Sequence, residues 1–224
     1  MMELIQGTFI SESKRRFLCT VRVEEQDLLC YVPASCHLSP LIELEGRTVL
    51  LSPVESPKAR TQFALFAVKC GRSYVLLNLA YANKVVEEEL HRRLLAFLGK
   101  RKTISRERVI DGYKADLYIH DSDTLIEIKT VLSMNKKIKF PSMASKRAVK
   151  QLREISRLID CGHKIAYFVM SLNPAADEIA LDPQYEEYYP AFKECTEKGM
   201  LCCAFSIRLK DGIPTINKRL PIQI

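Results

Sequence analysis

No two of the eight cysteines stand in a Cys-x-x-Cys pair, and the four histidines, His37, His91, His120 and His163, are scattered singly. These spacings exclude a zinc module, and they do not form the framework of a disulfide-stapled domain. Several of the cysteines lie inside apolar runs, where a free thiol acts as a small hydrophobe. A reducing, cytoplasmic compartment is therefore expected. No run approaches the ~20 apolar residues of a membrane span. The opening Met1-Met2-Glu3-Leu4-Ile5-Gln6-Gly7 lacks the basic and apolar parts of a signal peptide. Repeats and low-complexity tracts are missing too, and nothing matches a helix-turn-helix reader of the major groove. The expectation is an intracellular, soluble protein with no membrane partner. Its oligomeric state is left open, a homodimer included.

Acidic residues are scarce in one segment. Residues 133–164 hold nine Lys or Arg against two Asp or Glu, whereas residues 1–80 hold nine against eight. The first segment alone matches the net charge of +7. Such a local excess points to a polyanionic partner. Apolar content of 47% and charged content of 27% are ordinary for a globular chain, and 224 residues suffice for one large or two small domains.

Residues 1–80 read as short strands separated by turn residues: Leu4 to Ile10, Arg16 to Val23, Leu28 to Val32, Thr48 to Ser52, Phe63 to Lys69 and Tyr74 to Leu77. This spacing suggests a small β-barrel, an oligonucleotide-binding (OB) type being one option. Lys14, Arg15 and Arg16, with Phe17 and Phe63 near, would grip a backbone and stack on bases; the alternative is solvated loop charge beside core aromatics. A helix is predicted from Asn83 to Leu98, with Val86, Leu90, Leu94 and Leu98 as its buried stripe and Gly99 as its stop. Glu87, Glu88 and Glu89 suit its N-terminal dipole. Thr103 to Ile110 reads as a strand.

The central feature is a predicted antiparallel hairpin, 113–119 paired with 124–131 around the polar link His120-Asp121-Ser122-Asp123. Side chains alternate along the second run, so Leu125, Glu127, Lys129 and Val131 share one face and Ile126 and Ile128 the other. Cross-strand pairing would bring Asp116 beside Glu127. Two carboxylates on a core strand offer hard oxygen ligands to Mg²⁺, which keeps waters and substrate phosphate oxygens in its shell. Lys129 would add a cation at the reacting phosphate. The bland alternative is a solvated Glu-x-Lys pair, since short motifs match by accident.

Lys136, Lys137 and Lys139 lie in a predicted loop from Met134 to Met143. A helix follows, from Ser142 or Ala144 to Asp160, with Ala148, Leu152, Ile155 and Ile159 on one side and Lys146, Lys150, Arg153 and Arg157 on the other. Those cations can contact phosphates. The apolar run Lys164 to Met170 then implies a crossover with parallel pairing. An extended piece at 179–181, a helix from Glu186 to Lys198, a strand from Met200 to Leu209 and a short tail complete the chain.

The ordered landmarks Lys14-Arg15-Arg16-Phe17-Leu18, Asn78-Leu79-Ala80-Tyr81-Ala82-Asn83, Ala115-Asp116-Leu117, Ile126-Glu127-Ile128-Lys129-Thr130-Val131-Leu132, Phe140-Pro141, Arg147 and Lys150-Gln151-Leu152-Arg153-Glu154 resemble the sugar fermentation stimulation protein A (SfsA) family. The resemblance implies an α/β (α+β) chain. An OB-like barrel over 1–80 would precede a restriction-endonuclease-like PD-(D/E)xK core over 81–224, whose mixed central sheet is flanked by helices. It implies that Asp116 and Glu127 bind Mg²⁺ or Mn²⁺ and that Lys129 assists catalysis. It also picks Glu88 as auxiliary ligand or water orienter, with Lys150 or Gln151 in support. Together with Lys146, Arg147, Arg153 and Arg157, Gln151 and the cations named above make up the expected nucleic-acid surface.

The chain departs from the family pattern in two places. Pro33-Ala34-Ser35-Cys36 stands where the family has Pro-Asn-Thr-Gly, and Ser142, Ser145 and Arg147-Ala148 replace an Asp, a Thr and an Arg-Gly pair. Two functions follow from the resemblance: a metal-dependent nuclease on DNA or RNA, or a non-catalytic DNA-binding regulator of maltose-type sugar-utilisation genes. A third option is a structural role with a relic triad.

Overall fold

A computed structural model describes residues 3–13, 17–34, 37–38, 42–56 and 58–224. Lys14, Arg15 and Arg16 lie outside the described residues, as do Ser35 and Cys36.

The strands expected near the start form with small shifts at their ends. They are β1 (Ile5–Glu12), β2 (Leu18–Val23), β3 (Gln26–Tyr31), β4 (Thr48–Pro53), β5 (Phe63–Cys70) and β6 (Ser73–Leu76). Their order is β3-β2-β1-β4-β5-β6, and a parallel pairing of Tyr31 with Ala64 joins β3 to β5 and closes the barrel. Alternation sends Cys19 and Val21 of β2, and Cys30 of β3, fully inside. The described cysteines are all free thiols. Burial pushes Cys30 and Cys195 up to about 11, so they act as inert hydrophobes.

Helix α1 (Tyr81–Glu89) is shorter than the periodicity predicts. The chain turns extended at Arg92 and resumes as a 3-10 segment, Arg93–Leu98, so Leu94 is exposed and Leu95 takes the buried place. The break leaves the Leu90 carbonyl without a helical donor, and Arg101 Nε donates to it at 2.6 Å.

The second half is built from β7 (Ile104–Arg106), β8 (Val109–Ile110), β9 (Tyr113–Lys114), β10 (Leu117–Ile119), β11 (Thr124–Val131), β12 (Lys137–Phe140), α2 (Lys146–Asp160), β13 (Lys164–Ser171), β14 (Glu178–Leu181), α3 (Tyr188–Glu197), β15 (Leu201–Lys210), β16 (Ile213–Leu220) and β17 (Ile222–Gln223). The main sheet runs β16-β15-β13-β11-β10-β7. Its centre is parallel and its outer strands antiparallel, with α2 as the predicted crossover between β11 and β13. The predicted strand 103–110 is split at Glu107, which takes φ 51, and Val109–Ile110 pairs with Tyr113–Lys114 in a separate ribbon.

Two further expectations are corrected. The basic loop at 134–143 contains a strand, because Lys137-Ile138-Lys139-Phe140 alternates polar and apolar residues and buries Ile138 and Phe140. The short tail after Gly212 includes β16, an edge strand paired with β15.

The sheet is covered on both faces. Ile126, Ile128, Phe168, Met170 and Phe205 join Val85 and Val86 of α1 and Phe66 and Leu76 of the barrel in one apolar layer. Leu125, Tyr167 and Val169 face Leu152 and Ile155 of α2 and Phe192 of α3 in the other. Burying one such aliphatic or aromatic side chain contributes about 2 kcal/mol.

Gly7 of β1 lies close against β2. A Cβ there would stand 2.7 Å from the Arg22 carbonyl oxygen and 2.7 Å from Val21 Cγ1. Gly7→Ala is therefore expected to destabilise the protein by about 1–3 kcal/mol, the range for overpacking. Urea unfolding measures this, and an unchanged midpoint would refute the close approach.

Candidate active site

The hairpin forms over 117–119 only, with Leu117 opposite Ile126 and Ile119 opposite Thr124, whereas Tyr113 and Lys114 of the expected strand pair with Val109–Ile110 instead. Strand β10 has only three residues, so it leaves the next stretch of β11 without a neighbour on that side. Asp116 fills the gap: its Oδ2 accepts from Ile128 N at 2.8 Å and its Oδ1 from Asn83 Nδ2 at 3.2 Å. The backbone around it is fixed by Glu107 N, which donates to Asp116 O at 3.0 Å. A catalytic type of side chain is thereby locked between the sheet and α1.

Glu127 is 4% exposed and accepts three hydrogen bonds. Lys129 Nζ and Gln151 Nε2 donate to Oε1, each at 2.6 Å, and the Tyr113 hydroxyl donates to Oε2 at 2.5 Å. Gln151 Nε2 also reaches the Tyr113 oxygen at 3.0 Å, and Lys129 donates to Gln151 Oε1 at 2.6 Å. Burial raises the Glu127 pKa above the usual carboxylate value; Lys129 opposes that shift and the nearby Asp116 adds to it. The Tyr113 phenol is pushed up by burial and by Glu127, so it stays a neutral donor.

The site opens into a cleft of roughly 370 Å³. Asp116, Glu127, Lys129, Arg147 and Gln151 all reach it, with Glu107 and Lys114 at its side. Among the described residues, no group of three or more His, Cys, Asp or Glu is arranged to hold a metal ion. A carboxylate pair instead suits a cation that completes its shell with water and substrate oxygens.

Other expected residues stand elsewhere. Glu88 pairs with Lys84 at 3.9 Å and does not line the cleft. Glu87 is the glutamate that shares a second cleft, of about 640 Å³, with Asp116, Asn83 and Arg106, and it is held by Arg106 at 2.6–2.7 Å. Glu89 is buried and paired with Arg92. The i, i+4 spacing of Asn83 and Glu87, which puts both on one helix face, is a sequence signal for that choice.

On α2, whose Ser145 caps the N-terminus by accepting from Ala148 N, the side chains of Lys146, Arg147, Lys150 and Arg153 are exposed. Arg157 instead pairs with Glu154 and donates to the Asp111 carbonyl at 2.8 Å. The exposed Lys137 and Lys139 approach Glu178 at 4.0 Å and Asp182 at 3.8 Å, and Lys136 is exposed.

Sequence reasoning assigned no role to Tyr113, Asn83 or Arg106. Strand parity could not point to Tyr113, because it sits in the β8–β9 ribbon, outside the main sheet. Asp111 and Gly112 take φ 46 and 82, as a type I′ turn requires.

A closed β-barrel packed on a mixed sheet, with an acid pair and a lysine in one cleft, places the chain in a class of two-part α+β proteins. The chain belongs to the sugar fermentation stimulation protein family: its "Sugar fermentation stimulation protein RE domain" matches residues 80–212, and the "SfsA N-terminal OB domain" matches residues 13–77. The sugar fermentation stimulation protein homolog of Ruminiclostridium cellulolyticum is 25% identical over 98% of this chain and 97% of its own length. That of Clostridium beijerinckii is 27% identical over 95% and 97%. The solved structure of Pyrococcus furiosus SfsA in complex with Ca²⁺ aligns with TM-score 0.85 at 17% identity, covering 100% of this chain and 98% of that one. That likeness shows a common fold. No helix among the described residues is long and apolar enough to cross a membrane.

His163 anchors the ribbon turn. Its Nε2 lies 3.0 Å from Asp111 Oδ2 and its Nδ1 3.5 Å from Asp123 Oδ2, and the hydrogen bond to Asp111 raises its pKa above 6.5. The resulting stabilisation is present in full below 6.5 and is lost as pH rises through the higher folded value. His163→Gln is expected to remove this pH-dependent part. Urea midpoints on either side of that window check it, and an identical pH profile in the variant would count against the anchor.

Proposed function

We propose that this chain is a metal-dependent nuclease that hydrolyses phosphodiester bonds of DNA or RNA. The carrying observation is the convergence of Asp116, Glu127 and Lys129 in one cleft at the start of the basic helix α2. Asp116 and Glu127 are hard oxygen donors that fit Mg²⁺ or Mn²⁺. A relative of the same fold was solved with Ca²⁺, which takes the same ligand type. When bound, such a cation supplies Lewis acidity, activating water and offsetting charge on the phosphate.

The chain's own residues do the rest. Lys129 commits two of its three ammonium protons to Glu127 and Gln151. Its third is available to a phosphate oxygen or to the attacking water, where a fixed donor stabilises developing charge. Arg147 and Lys114 border the cleft and can neutralise flanking phosphates. The exposed face of α2 extends that track. In this reading the barrel, about residues 1–80, holds the nucleic acid beside the cleavage unit of about 81–224.

The test incubates purified protein with labelled single- and double-stranded DNA and RNA, with Mg²⁺, Mn²⁺ or chelator. Cutting is expected only with metal, and Asp116→Ala and Lys129→Ala are each expected to lose roughly 10²–10³-fold in rate. Salt-sensitive binding with no cutting under any metal would overturn the nuclease and favour a binding protein that regulates genes. Removing Lys146, Arg147, Lys150 and Arg153 one at a time should weaken binding and lower the salt slope by about one unit each. Unchanged slopes would move the nucleic-acid path off α2.

A further inference from the structure

We propose that Tyr113 is a positioning residue of the cation site, fixing which oxygen of Glu127 faces an incoming ion; this rests on the cation-binding reading given above. An ionised carboxylate offers about four lone-pair sites. On Glu127, Oε1 already accepts from Lys129 and Gln151, which fills its two sites, and Oε2 accepts from the Tyr113 hydroxyl. One site remains, on Oε2. The acceptor site that Glu127 would leave for a cation is therefore on that oxygen, beside the one the phenol takes.

The tyrosine is built into place from two sides. Its ring belongs to the apolar layer under α2, and its strand is one arm of the ribbon closed at Asp111-Gly112. Arg157 of α2 holds the Asp111 carbonyl at 2.8 Å, and Gln151 of the same helix holds the Tyr113 oxygen at 3.0 Å. One helix thus fixes both the turn of the ribbon and the phenol it presents. Phenylalanine would fill the apolar seat equally well, so the hydroxyl is accounted for by Glu127.

The experiment titrates the metal-free protein with Mn²⁺ alone, following free Mn²⁺ by electron paramagnetic resonance. Wild type, Glu127→Ala, Tyr113→Phe and Arg157→Ala are compared, with thermal midpoints recorded for each. Partners of ligating carboxylates typically contribute 10–100-fold to metal affinity, so Tyr113→Phe is expected to bind Mn²⁺ at least about tenfold more weakly at a preserved midpoint. Arg157→Ala, which loosens the turn without touching Glu127, should weaken binding by a smaller factor. Raising Mn²⁺ should restore cutting in Tyr113→Phe but not in Lys129→Ala.

Wild-type affinity in Tyr113→Phe, with binding lost in Glu127→Ala, would overturn the role of Tyr113 while leaving the cation site standing. Wild type binding no better than Glu127→Ala would remove the cation site itself, and this proposal with it. Should Tyr113→Phe not fold, unchanged affinity in Arg157→Ala would overturn the proposal.

Discussion

A carboxylate that water scarcely reaches has to find its solvation inside the protein, and Glu127 is solvated by three donors drawn from three separate pieces of chain. Lys129 comes from its own strand, Gln151 from α2 and Tyr113 from the β8–β9 ribbon. An unpaired charge in that position would cost several kcal/mol. The strand, the helix and the ribbon must therefore all be in place before the site exists. Its geometry reports the assembly of the whole second half of the molecule.

The companion carboxylate depends on a shortage rather than a surplus of structure. Because β10 stops after three residues, an amide of β11 is left without a strand partner, and Asp116 supplies the acceptor. A longer β10 would satisfy Ile128 N with a carbonyl and close the cleft. The opening thus follows from ladder bookkeeping at the sheet, where each buried N–H needs one partner. Neighbouring Asn83 ties the same carboxylate to α1, so a displacement of that helix would be felt at the acid.

Much of this was legible in the sequence. The strands of the first segment, the hairpin turning at 120–123, the crossover through α2 and the burial of Ile126 and Ile128 opposite Glu127 and Lys129 all followed from period-two and period-3.6 patterning. Patterning failed where tertiary contacts decide. The stripe through Leu94 continued past a break that depends on Arg92 and Arg101, and the strand of Lys137 to Phe140 was hidden by its lysines although its alternation was regular. At the site, the acids and the lysine could be named from spacing. Tyr113, which donates to Glu127, could not, because it lies on a ribbon folded outside the main sheet. That Glu87 shares a cleft with Asp116 was foreshadowed by its i, i+4 spacing from Asn83, whereas its bond to Arg106 depends on how α1 packs on the sheet.

The apolar layer that Phe66 and Leu76 share with Phe168 and Phe205 makes the barrel and the sheet one structural unit. A main-chain bond from Leu76 to Leu172 stitches them further. Fragments severed near residue 80 would each be born with a bare greasy flank, prone to clumping when expressed alone. Grafting this barrel onto a different protein would require transplanting the complementary flank as well.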